Sequence, residues 1–266
     1  MPPQTFAFDR RAGFVDFYRE NGFVIVNGVY SRDDIAALTK ACDELSARRR
    51  ADRKNPHSPH LKLHTHHPVF GAAARHPRML DVVREILGGG PMQLIHTQLT
   101  YKPPGSHGFS VHQDNFYTRV DPPEAIATCC LFIDDADDRN GALNVYPGSH
   151  RESLLPPRKD WGYFLTVAPG LAVSMAKRAA GIKPGPDDNT VGVIERLFHT
   201  LVPPQYRRVV AEVAAGGVCV MHPLLVHGSG TNSTSDRMRR NVAINLIRKG
   251  QPFQKGLFAD RELYDV

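Results

Sequence analysis

The order of periodicities along the chain predicts an α+β fold that is mainly β, with a sandwich or barrel body. Residues before Pro91 carry helical periodicity around one short apolar run. After Pro91 the apolar segments are short, in part β-branched or aromatic, and punctuated by Gly, Pro, Asn and Asp. Helices followed by strands is the pattern of an α+β arrangement. The composition supports a globular reading: 41% hydrophobic and 23% charged in 266 residues is enough for a sizeable core. One domain over residues 1–266 is expected.

Residues 9–20 should be helical, because Phe14, Phe17 and Tyr18 lie at i, i+3 and i+4, and Asn21-Gly22 forms a stop. Residues 23–26 read as a short buried strand. Ser31 can cap a second helix, with Asp33 and Asp34 in its first turn and Ile35, Leu38, Cys42 and Leu45 at helical spacing. Residues 51–60 are polar and Pro-bearing, hence a loop. A third helix over 78–87 is stopped by Gly88-Gly89-Gly90. Strands are expected over 92–101, 127–133, 142–146, 218–221 and 242–247. Between Ser153 and Pro204 the pattern weakens, with a helix over 171–178. This stretch reads as a long insertion between core strands, of the kind that serves as a lid or substrate segment.

The net charge is +6. The densest basic run, Arg48-Arg49-Arg50 with Arg53 and Lys54, reads as a solvated helix end. No nucleic-acid module accompanies it, so no nucleic-acid partner is expected. The charge suits an anionic substrate or co-substrate. The four cysteines, Cys42, Cys129, Cys130 and Cys219, form no C-x-x-C pair and read as buried thiols, with Cys129 and Cys130 on opposite strand faces. The N-terminus shows no apolar signal core, and no run of 18 apolar residues exists. The expectation is a cytoplasmic protein without a membrane partner. Oligomeric state is not legible.

The chemistry centres on His112-Gln113-Asp114. On a strand, i and i+2 face one side, so an imidazole and a carboxylate would project together. Two histidines and one carboxylate on one face of an octahedron leave three positions open, which suits Fe(II) and dioxygen. His227 ends an apolar strand beside Gly228-Ser229-Gly230 and is the candidate for the third ligand. Its competitor is His222, an odd separation away and therefore on the opposite face. Downstream sit Arg237, Arg239 and Arg240, followed by a strand, and an Arg entering that strand could hold a dicarboxylate by a bidentate fork. The tract His57, His60, His64, His66 and His67 matches no zinc spacing and reads as a polar loop. Tyr101, Phe116, Tyr117 and Trp161 could line a cavity or pack in the core.

Four segments carry a resemblance to the phytanoyl-CoA dioxygenase family of Fe(II)/2-oxoglutarate oxygenases. They are Thr97-Gln98-Leu99-Thr100-Tyr101-Lys102-Pro103-Pro104-Gly105, His112-Gln113-Asp114, Asn140-Gly141-Ala142-Leu143-Asn144-Val145-Tyr146-Pro147-Gly148-Ser149-His150, and His227-Gly228-Ser229-Gly230-Thr231-Asn232. The resemblance runs from about Gly22 to Lys249 and implies a double-stranded β-helix, or jelly roll, with the N-terminal helices packed on one sheet. It implies Fe(II) on His112, Asp114 and His227, with 2-oxoglutarate and O₂ as co-substrates. It places the distal carboxylate of 2-oxoglutarate on Arg239, with Arg240 as the alternative register, and on Ser229. Lys102 and Gln113 match positions lining the co-substrate pocket. Cys130 departs from the pattern, standing where many relatives carry Trp. The implied reaction is oxidation, most simply hydroxylation, of an unactivated C–H bond of a small-molecule substrate, giving succinate and CO₂. Desaturation, cyclisation or peroxidation would use the same cofactor chemistry. A carboxylate at Asp114 argues against halogenation. Two other classes remain open at this point: a metal-binding β-helix protein without turnover, and a zinc hydrolase on a related barrel.

Overall fold

A computed structural model describes residues 4–52, 57, 59–159, 161–182, 197–254 and 261–266. Arg53 and Lys54 of the basic run, and much of the second half of the insertion, lie outside the described residues.

The helices are α1 (Phe14–Asn21), α2 (Arg32–Ala51), α3 (Leu63–His66), α4 (Pro68–Ala74), α5 (Pro77–Ile86), α6 (Asn115–Thr118) and α7 (Trp161–Ala179). The first begins at Phe14, its first apolar position, and not at residue 9 as expected. Gly13 takes a left-handed backbone (φ 78°), which starts the helix at Phe14, and Gly22 (φ 80°) ends it by donating to the Tyr18 carbonyl. Ser31 closes a capping box on α2. Its hydroxyl accepts from the Asp34 amide at 3.1 Å while the Asp34 carboxylate accepts from the Ser31 amide at 2.8 Å. That helix runs past its last apolar position, with Arg48, Arg49 and Arg50 in its final turn complementing the carbonyl end.

The strands are β1 (Thr5–Ala7), β2 (Phe23–Asn27), β3 (His60–Leu61), β4 (Met92–Lys102), β5 (Ile126–Phe132), β6 (Leu143–Val145), β7 (Pro157–Lys159), β8 (Phe198–Thr200), β9 (Val209–Ala211), β10 (Val218–Met221), β11 (His227–Ser229), β12 (Arg239–Arg248) and β13 (Tyr264–Asp265). They form an eight-stranded sheet in the order β1-β2-β10-β5-β12-β4-β13, with β3 also on β4, a three-stranded sheet β11-β6-β9, and a ribbon of β7 with β8.

Alternation along the large sheet sorts side chains to two sides. Val24, Cys129, Leu131, Val220, Val242 and Ile244 pack against a helical layer that includes Phe14, Leu38, Phe70, Met79 and Val83. Phe23, Ile25, Cys130, Phe132, Cys219 and Met221 pack the other way, against Leu143, Val145, Ala211 and Val213 of the small sheet and its flank. The result is a helical layer, a large sheet and a small sheet in succession. The split of Cys129 from Cys130 follows from this alternation, and all four cysteines are buried free thiols. No described helix is long and apolar enough to cross a membrane.

Candidate metal centre and cavity

His112 and His227 face each other across a single antiparallel bridge. The His112 amide donates to the His227 carbonyl at 2.8 Å, and the reverse bond is 3.0 Å. Their rings lie 4.4 Å apart. Asp114 Oδ1 sits 3.4 Å from His112 Nε2 and 3.6 Å from His227 Nε2. One ligand atom from each residue falls within 4.8 Å of the others, the sole such His/Cys/Asp/Glu group among the described residues. The convergence does not come from strand alternation. His112 belongs to an isolated bridge, and Asp114 has helical backbone (φ −60°, ψ −33°) at the start of α6. A turn, held by the Asn115 amide on the Pro223 carbonyl at 2.9 Å, swings the carboxylate back under the imidazoles.

The hydrogen bonds around the triad fix which atoms face inward. His112 Nδ1 lies 2.7 Å from the Ser110 carbonyl and His227 Nδ1 lies 3.0 Å from the Leu225 carbonyl. A carbonyl only accepts, so both Nδ1 atoms carry protons and both Nε2 lone pairs are directed at the shared centre. Asp114 Oδ2 accepts from the Thr128 hydroxyl at 2.6 Å, and that hydroxyl accepts from Asn245 Nδ2 at 2.8 Å. Oδ1 is thereby the oxygen turned to the imidazoles. Burial alone would raise the Asp114 carboxyl; the pull of His227 and His112 and the Thr128 bond overcome it and hold it below the usual carboxylate range. Burial lowers His227, against the pull of Asp114.

The triad opens on a cavity of about 130 Å³. Its floor is the second face of the large sheet, including Thr100 of β4, Thr128 and Cys130 of β5, and Arg239, Asn241, Ala243 and Asn245 of β12. Arg239 is 1% exposed. It donates to Asn241 Oδ1 and, at 3.1 Å, to the Gly141 carbonyl, while its Nε has no partner. Burial brings its guanidinium down to about 10. Arg240, one residue on, points the other way and is committed to Asp134 at 2.7 Å and Asp43 at 3.0 Å. Strand parity separates the two: Arg239 lines the cavity and Arg240 does not.

Ser229 lines the cavity beside Arg239. Its hydroxyl oxygen accepts from Lys102 Nζ at 2.7 Å and from the Phe109 amide at 3.0 Å. Lys102 stands just behind it, 1% exposed, also donating to the Gly230 carbonyl. Burial, helped by the nearby Arg239 charge, pushes the Lys102 amine down to about 7.

Gln113 is placed differently from its expected lining position. Between two cavity-facing residues it turns outward, donating to the Leu224 carbonyl at 2.7 Å and accepting from the Leu155 amide at 2.8 Å. It is a strut joining three segments. His222 packs against His150 and Tyr18, outside the cavity. Of the four candidate aromatics Tyr117 lines the cavity. Tyr101 packs in the helical core with its hydroxyl on the Cys42 carbonyl, Phe116 packs on Phe198, and Trp161 is 65% exposed. In the histidine tract, His64 is fixed on Thr97 at 2.8 Å and against the Tyr264 ring.

Sequence reasoning missed Thr128, Asn245, His96 and Arg261, all on the cavity wall. Thr128 and Asn245 did leave a signal, a lone polar residue in an otherwise apolar strand. Arg261 left none, since it reaches the site from the chain's C-terminal segment.

The sequence pattern of the phytanoyl-CoA dioxygenase family (PhyH) matches residues 18–241. A probable phytanoyl-CoA dioxygenase of Caenorhabditis elegans is 28% identical over 176 residues, 63% of this chain and 47% of that protein. An ectoine dioxygenase of Bordetella parapertussis is 27% identical over 163 residues, 56% of this chain and 52% of that protein. The match thus spans about half the length of these curated relatives. Among solved structures, the non-haem α-ketoglutarate-dependent carbocyclase SnoK from nogalamycin biosynthesis superposes with a TM-score of 0.68 at 18% identity, over 96% of this chain and 91% of that one. At that identity the likeness is one of fold. The chain therefore belongs to the phytanoyl-CoA dioxygenase family.

Proposed function

We propose that this protein is an Fe(II)- and 2-oxoglutarate-dependent dioxygenase on a jelly-roll body, hydroxylating an unactivated C–H bond of a small molecule with release of succinate and CO₂. The observation that supports it most is the pairing, in one cavity, of the His112–Asp114–His227 group with the buried cation of Arg239. Two imidazoles whose Nε2 atoms face the same centre as one ionised carboxylate suit Fe(II) with open positions. A buried guanidinium with an unpartnered Nε suits a carboxylate.

His112, Asp114 and His227 would hold the iron. Arg239 and Ser229 would bind the distal carboxylate of 2-oxoglutarate. Because Ser229 accepts from both Lys102 and Phe109, its own proton is left to donate toward that carboxylate. Lys102 adds positive charge behind it. When bound, the iron and its co-substrate supply the oxidising chemistry; the protein supplies geometry and a sheltered site.

The test is succinate formation by anaerobically prepared protein given Fe(II), 2-oxoglutarate and O₂, with Asp114→Ala beside it. Succinate from the wild type and none from the variant is the expected outcome. No succinate, together with no visible charge-transfer band when 2-oxoglutarate is added to the Fe(II) protein, would sink the reading.

A further inference from the structure

The cavity carries an arginine at each end. Arg239 opens β12, whereas Asn245 lies six residues along the same strand, about 20 Å of extended chain. Opposite Asn245 stands His96, with Arg261 close enough to act on its charge. A five-carbon diacid anchored on Arg239 is far shorter than this span, so the second end is left to another molecule.

The turning of His96 into the cavity has a local cause. The β4–β12 ladder pairs Asn245 with His96 and Leu246 with Leu94, leaving Ile95 as a bulge. Before the bulge, Met92 and Leu94 pack in the helical core; after it, Leu99 and Tyr101 do. His96 is thereby re-aimed, as bulges beside functional sites commonly do. Its Nδ1 is buried with no hydrogen-bond partner, a condition a bound ligand would relieve. Burial first, then the Arg261 charge, hold the imidazole down to about 3, so the ring is neutral. Arg261 anchors one arm of its guanidinium on the Tyr117 carbonyl at 2.7 Å. Among the described lining residues the sole acid is Asp114, already committed to the triad.

We propose that the His96–Arg261 end is the subsite for the substrate undergoing oxidation, and that it takes a molecule bearing a carboxylate or phosphate group. Arg261 pairs with the anion and His96 hydrogen-bonds beside it, next to Asp114. This rests on the co-substrate reading of the Arg239 end.

The experiment uses the full chain loaded with Mn(II) and 2-oxoglutarate, which does not turn over. Mn(II)-induced NMR relaxation is measured for acetate, benzoate, octanoate and phenyl phosphate, and for acetamide, benzamide and octanamide. At least one acid should relax at concentrations at least tenfold lower than its amide. Arg261→Ala should lose that preference, Arg261→Lys should keep part of it, and His96→Leu should weaken it. Comparison of phenyl phosphate with benzoate tells which anion is preferred. Equal relaxation by acids and amides, no relaxation by any acid, or an unchanged preference in Arg261→Ala overturns the proposal. Relaxation of 2-oxoglutarate itself is followed in the same samples. Its absence would instead fail the co-substrate reading, so the two failures are distinct.

Discussion

At the scale of single residues, the site is a set of ligands held by their neighbours. Thr128 and Asn245 choose which oxygen of Asp114 faces the imidazoles. Thr128→Val keeps the shape and removes the hydroxyl. It should weaken Mn(II) or Fe(II) binding by about 10- to 100-fold, the usual cost of losing such a partner. Thr128→Ser should restore it; titration with metal checks both. Lys102 gives a pH dependence. Its amine is charged below about 7 and loses its proton as the pH rises. A carboxylate beside Arg239 and Ser229 favours the charged form. Affinity for 2-oxoglutarate should therefore fall as pH rises above 7, and binding there should take up a proton. Calorimetry in two buffers of different ionisation heat measures that uptake, and Lys102→Met should abolish it. Of this site, the sequence displayed His112, Asp114 and His227 through motif and order. It could not show Thr128 or Asn245 as supports, because their role is set by which strands lie side by side, and that is not a local property. Gln113 shares a motif with two cavity residues, yet the turn into α6 sends its amide to Leu224 and Leu155.

At the scale of elements, legibility followed the strength of local chemistry. The span of β10 was readable to the residue from Val218 to Met221, because a β-branched run meets clear turn signals. The start of α2 was readable because Ser31 and Asp34 form a reciprocal cap. Ser31→Ala should cost about 1 kcal/mol by removing that cap. Urea unfolding should show a lower midpoint with an unchanged slope, and metal binding should be unaffected. The short helices α3 and α4 were not legible; the stretch is histidine-rich, and its packing against β4 and α2, not its periodicity, holds it in place. The helix α7 begins ten residues before the expected 171 because Pro169 and Gly170 break the apolar pattern without ending the helix. The strand β12 extends past its apolar run at both ends, since Arg239 pairs with Lys102 and Arg248 with Met92 in the ladder.

At the scale of the molecule, the helical layer and the cavity share one sheet, so occupancy of the site should register in global stability. Mn(II) at about 100 times its Kd should stabilise the fold by about 2.7 kcal/mol, a rise of roughly 5–10 °C in Tm. Addition of 2-oxoglutarate should raise Tm further, but only when metal is present. A chelator should reverse both shifts, and differential scanning fluorimetry reads all three. An increment from 2-oxoglutarate without metal would contradict the shared site. The two faces of β12 also carry a consequence for change over generations. Val242, Ile244 and Leu246 secure the core, while Ala243 and Asn245 face the chamber where a substrate would lie. Because the two sets alternate along one ribbon, a lineage can rewrite a chamber-facing position such as Ala243 while Val242, Ile244 and Leu246 go on specifying the same body. Innovation and heredity are thus interleaved residue by residue, on opposite sides of a single strand.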